Sequence, residues 1–137
     1  MLPRRHRLTR PEDYRAVLRG RQGAARRRSG TELLVVHAAP TTPTRGPRVG
    51  FVVSKAVGNS VVRHRVVRRL RALVAHRLDR LPQGWDLVVR AQPPASTATS
   101  ASLGVDLDRA LERVLPAPTS SPGSLVGDRG TGTGADR

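Results

Sequence analysis

The chain has 137 residues, 25 Lys and Arg against 10 Asp and Glu, a formal net charge of +15 and no cysteine. This length reads as one compact domain; the missing cysteines exclude a disulfide scaffold, a thiolate metal site and a catalytic thiol. No apolar run approaches the roughly 20 residues of a membrane span, so a soluble protein with no membrane partner is expected.

The N-terminal Met1-Leu2-Pro3-Arg4-Arg5-His6-Arg7 is basic, yet no apolar stretch follows it, so it is not read as a secretory signal and a cytoplasmic location is expected. Thr9 is a candidate N-cap for a short helix ending at Gly20, with Pro11 and Glu12 in its first turn and Tyr14, Val17 and Leu18 at i, i+3 and i+4. Residues 31–38 are too few and too β-branched for an ordinary helix and read as a buried strand. Residues 40–47, rich in Pro and Thr, read as a turn leading to a second strand over 48–54, which predicts an antiparallel pair.

The longest periodic segment runs from 59 to about 80, with Asn59 or Ser60 as its cap. Val62, Val66, Val67, Leu70, Leu73, Val74 and Leu81 fall within an arc of roughly 140°, the stripe of a helix laid on a sheet. His64, Arg65, Arg68, Arg69 and Arg71 take the other side, while Arg63 falls inside the apolar arc. Pro82-Gln83-Gly84 ends the helix and Trp85–Ala91 reads as a strand, so strand, helix and strand predict a parallel βαβ unit. Residues 92–102 read as a loop. A last helix carries Leu107, Ala110, Leu111, Val114 and Leu115, with Asp106 and Asp108 in its first turn. Residues 116–137 have no periodicity and read as a disordered tail behind a single domain over 1–115.

The charge is uneven: 21 basic and 5 acidic side chains lie in residues 1–90, against 4 and 5 in residues 91–137. Every basic residue except Lys55 is arginine, whose planar guanidinium forks onto phosphate oxygens and stacks on bases. Nucleic acid is therefore the expected partner class. No catalytic constellation accompanies it. His6, His37, His64 and His76 lack ligand spacing, no glycine-rich phosphate loop occurs, and the acidic residues of the basic region are too scattered for a two-metal cluster.

The segment Ser54-Lys55-Ala56-Val57-Gly58-Asn59-Ser60-Val61-Val62-Arg63-His64-Arg65-Val66-Val67-Arg68-Arg69-Leu70-Arg71 resembles the signature of the bacterial ribonuclease P protein subunit. Asp13-Tyr14-Arg15-Ala16-Val17-Leu18 is similar to that family's first helix, Arg48-Val49-Gly50-Phe51 to the strand before the signature, and Asp86-Leu87-Val88-Val89-Arg90-Ala91 to the strand after it, so the resemblance spans about residues 4–115. It implies an α/β (α+β sandwich) fold of αβββαβα topology, with a small mixed sheet, a left-handed parallel βαβ crossover and a further short strand near residues 23–28.

The implied activity is endonucleolytic removal of the 5′ leader from precursor tRNA. The resemblance further implies that the catalytic site and its Mg2+ lie on a partner RNA, with no cofactor bound by protein side chains. The resemblance assigns Lys55, Asn59, Arg63, His64, Arg65, Arg68, Arg69 and Arg71 to the catalytic RNA, and Tyr14, Leu18 and Phe51 to one leader-binding cleft. No protein partner is evident. Three positions depart from the family pattern: His64 replaces a central Asn, Val67 a usual Lys, and Leu18 a frequent aromatic. A structural RNA-binding protein of ribosomal type is the alternative reading; a DNA-binding helix-turn-helix is disfavoured by the flanking sheet.

Overall fold

Elements follow one another as αβββαβα in the computed structural model, which describes residues 2–19, 27–41 and 46–115. They are α1 (Pro11–Arg19), β1 (Arg27–Gly30), β2 (Leu34–Pro40), β3 (Arg48–Val52), α2 (Ser60–Ala75), β4 (Trp85–Ala91) and α3 (Ser100–Val114). The 23–28 strand expected from the resemblance is β1, starting at Arg27; residues 20–26 and the expected tail at 116–137 lie outside the described residues. The expected 40–47 turn is described only at its two ends.

The strands form one mixed sheet in the order β1-β2-β4-β3. The parallel unit expected around α2 is present, because β3 and β4 pair in parallel from Arg48 opposite Asp86 to Val52 opposite Arg90. The expected antiparallel pairing of β2 with β3 is not. β4 lies between them, antiparallel to β2 and parallel to β3. Two facts explain this: Leu87, Val88 and Val89 are all buried, so both faces of β4 need cover and a central position supplies it. The connection from Pro40 to Arg48 also exceeds the two to five residues typical of a hairpin loop.

A large core lies on the sheet face covered by α2 and α3, where Leu34, Val36, Val49, Leu87 and Val89 meet Val66, Leu70, Val74, Leu103 and Leu107. A smaller one lies on the other face, where Leu8 and Val17 meet Ala39 and Val88 with Tyr14, Leu18 and Val52 at its edge. The outer edge of β3 is not left bare: Leu8 N–H donates to the Val49 carbonyl at 3.0 Å and Phe51 N–H donates to the Tyr14 hydroxyl at 3.2 Å. Trp85 packs at the start of β4, half-buried, with the Arg27 guanidinium 5.8 Å from its ring centroid.

Several boundaries differ from the sequence reading, each for a local reason. Helix α1 begins at Pro11, and the Arg10 carbonyl, not Thr9, accepts its first bonds; proline at the first helical position lacks only an N–H that has no partner there anyway. β2 starts at Leu34 because Thr31 closes a turn, its hydroxyl exchanging hydrogen bonds with the Leu34 N–H and carbonyl at 3.1 Å. Helix α2 stops at Ala75, and Leu78–Arg80 form a separate 3-10 turn rather than its continuation.

The expected 92–102 loop contains a 3-10 turn at Pro93–Ser96 and the first turn of α3, capped by Thr99, whose hydroxyl oxygen accepts from Ser102 N–H at 3.0 Å. Asp106 and Asp108 therefore sit in the middle of α3, away from its dipole, and do other work. Asp106 accepts the Leu33 N–H at 3.2 Å, tying α3 to β2, and Asp108 binds Arg77.

Candidate nucleic-acid interface

Helix α2 is built to hold an arginine face steady. Asn59 caps it, the side-chain oxygen accepting Val62 N–H at 3.0 Å, and Val66, Leu70 and Val74 anchor it in the core. His64, Arg65 and Arg68 are exposed on the opposite side, as is Lys55 in the turn before the cap. None of these four pairs with a carboxylate among the described residues.

The remaining arginines of the expected set divide. Arg69 is half-buried and its Nη1 donates to the Ala98 carbonyl at 3.0 Å, which ties α2 to the segment before α3. Arg63 and Arg71 are also half-buried; in each the Nε is buried without a hydrogen-bond partner. A stem packed along the helix flank with its head turned outward is the usual arrangement for arginine at such positions. Asn59 is occupied by capping through its oxygen. Three of the described carboxylates are held in ion pairs of their own. Asp86 and Asp13 bind Arg48, and Asp108 binds Arg77 at 2.6 Å and Arg80 at 3.2 Å. Arg77 lowers the pKa of Asp108 from its ordinary value, so that carboxylate is ionised at neutral pH. An unpaired cationic face of this kind draws polyanions.

A second surface forms on the other side of the sheet, beside α1. Tyr14 lies flat on β3, where a methyl at Gly50 would fall 2.5 Å from its ring. Its hydroxyl donates to the Leu8 carbonyl and accepts from Phe51 N–H, both at 3.2 Å. Leu18 lies one turn further along, half-buried. Phe51 does not join them. Side chains alternate along a strand, and Phe51 packs with Val49 on the α2 and α3 side, so only its backbone touches Tyr14.

The same alternation brings in residues that the sequence reading missed. Register places Arg28 opposite His37, and His37 opposite Val88 beneath α1, while Arg90 lies opposite Val35 and Val52. Arg28 and Arg90 are exposed and His37 is half-buried, so this face of the sheet carries two exposed guanidinium groups. Arg28 and Arg90 are far apart in the chain, and only the strand order unites them.

Arg48 was also missed. Its Nε and Nη2 fork onto the two oxygens of the fully buried Asp86 at 3.1 and 2.8 Å, and its Nη1 reaches Asp13 in α1 at 3.4 Å. The Asp86 carboxylate raises the Arg48 pKa above its ordinary value. Among the described residues, no group of three or more His, Cys, Asp or Glu is placed to hold a metal ion.

Residues 2–115 match the family Ribonuclease P. The chain is 51% identical over 124 residues to the ribonuclease P protein component of Streptomyces bikiniensis, covering 84% of this chain and 96% of the relative. It is also 51% identical over 112 residues to that of Beutenbergia cavernae, covering 81% and 89%. Among solved structures, the RNase P protein of Staphylococcus aureus superposes with a TM-score of 0.67 at 21% identity, covering 78% of this chain and 93% of that one. The RNase P protein from Thermotoga maritima gives 0.67 at 20% identity, covering 80% and 98%. These two likenesses show a shared fold.

Proposed function

The chain belongs to the ribonuclease P family, the protein subunits of a tRNA-processing ribonuclease, and from that premise we propose that it acts by binding two RNA surfaces and contributes no catalytic side chain. The exposed face of α2, with Lys55, His64, Arg65 and Arg68 outward and Arg63, Arg69 and Arg71 at its flanks, takes the phosphates of the catalytic RNA. The opposite sheet face beside α1 takes the single-stranded 5′ leader of precursor tRNA. There Tyr14 and Leu18 offer an apolar wall, Arg28 and Arg90 offer cations for the leader backbone, and His37 sets an imidazole on the same face. The observation that carries this reading is the set of unpaired cations on one anchored helix face, with a second basic surface on the other side of the same sheet.

Leader hydrolysis, in this reading, uses Mg2+ held by the RNA. This chain's residues bind the catalytic RNA and hold the leader in a fixed direction, which raises the share of encounters that position the scissile bond. The reading places the protein in the cytoplasm; among the described residues no helix is long and apolar enough to cross a membrane.

The test is to assemble the protein with its cognate catalytic RNA and compare affinity for precursor tRNA carrying a leader of a few nucleotides with affinity for mature tRNA. Tighter binding of the precursor is expected, and equal affinity would overturn the leader site. For the other surface, Arg65→Ala with Arg68→Ala should weaken binding of the catalytic RNA. It should also flatten the log–log salt slope by roughly 0.7–0.9 for each phosphate the variant no longer neutralises. An unchanged slope would mean that this face only meets water.

A further inference from the structure

Helix α1 is the least anchored of the three helices. It has nine residues, of which only Val17 is fully buried, and a helix of that length has little stability of its own in water. Its docking on the sheet therefore depends on a few contacts, and the most directional is an ion pair. Arg48 and Asp86 face each other across the parallel β3–β4 pair, and both forks of that pair are closed, at 3.1 and 2.8 Å. The guanidinium is thus fixed by the sheet, with Nη1 turned to Asp13 at 3.4 Å. Arg48 and Asp13 are 17% and 20% exposed, so the contact is largely shielded from solvent. Asp13 immediately precedes Tyr14, whose ring rests on Gly50, two residues from Arg48 on the same face of β3.

We propose that Asp13 is a positioning residue for leader binding: by engaging the Arg48–Asp86 fork it sets the rotation and height of α1 on the sheet, and so the presentation of Tyr14 and Leu18. This rests on the leader-site reading above. Glu12 supplies an internal comparison. It lies in the same first turn, is exposed and favours the helix dipole as Asp13 does, but has no bond to Arg48.

The experiment uses the complex with the cognate catalytic RNA and measures the affinity ratio of leader-bearing precursor to mature tRNA, together with kcat at saturating precursor. Asp13→Ala should lower that ratio by about threefold to tenfold, with kcat, mature tRNA affinity and catalytic RNA affinity unchanged. Asp13→Asn, which keeps an acceptor oxygen for Arg48, should recover part of the ratio and guards against misfolding of the alanine variant. Glu12→Ala should leave the ratio alone. Equal drops for Glu12→Ala and Asp13→Ala would reduce the effect to the helix dipole and overturn the proposal. A drop in the ratio for Tyr14→Ala with none for Asp13→Ala would overturn it while leaving the leader site standing. No drop for Tyr14→Ala would remove the Tyr14 leader contact and the proposal with it.

Discussion

At Gly50 a methyl group would lie 2.5 Å from two Tyr14 ring carbons and 2.6 Å from the hydroxyl oxygen, so the ring would have to move. Gly50→Ala is expected to destabilise the protein by about 1–3 kcal/mol by forcing Tyr14 off the strand, read as a lower urea midpoint at constant slope. Tyr14 thus has a structural role whether or not a base stacks on it, a point that its helical spacing leaves open. Asp108 provides a pH signature. Arg77 lowers its folded pKa from the ordinary 3.8, so the pair stabilises fully above that pH and its contribution fades as pH falls through the depressed value. Asp108→Asn should therefore cost about 0.5–1 kcal/mol at neutral pH, a small figure because Asp108 is partly open to water, and should match the native protein in strong acid. A constant gap in melting temperature across that range would contradict it.

Among the elements, α2 shows most clearly how local sequence and function coincide. Its cap, apolar stripe and arginine face are all local patterns, which is why the helix was legible from residue 59 on, although its periodicity carried the expected end to about 80, past the observed end at Ala75. Asn59→Ala should cost about 1 kcal/mol through removal of the cap. Asn59→Asp should keep that stability in thermal melts yet weaken catalytic RNA binding, because it sets a carboxylate among the cations. Were both variants equally stable, Asn59 would not be acting as a cap. The start of α3 was illegible for the converse reason: residues 92–102 hold Pro, Ser, Thr and Ala, weak in apolar periodicity, and Leu103 becomes core only because the sheet lies beneath it. Asp106 and Asp108 suited a first turn by composition, but their partners, Leu33 N–H and Arg77, come from distant segments.

Across the whole molecule, a formal charge of +15 on 137 residues opposes compaction. Anions that bind only the folded chain should therefore stabilise it, by about 1.4 kcal/mol at ten times their dissociation constant. Sulfate at fixed ionic strength should raise the melting temperature above that in chloride; identical melts would show that no folded surface gathers anions. The sequence by itself determined the partner class, the order of the elements other than β1 and the anchored arginine helix, because charge, period and capping are properties of short stretches of chain; β1 was expected from the family resemblance alone. It left β2 beside β3, and it put Phe51 in the cleft with Tyr14. Tertiary structure alone decided that β4 separates those strands, that Phe51 faces the large core, that Arg28, His37 and Arg90 share a face, and that Arg48 joins Asp86 to Asp13. Each of these depends on pairing and register between segments far apart in sequence, settled by which strand needs cover on both faces and which buried charge needs a partner.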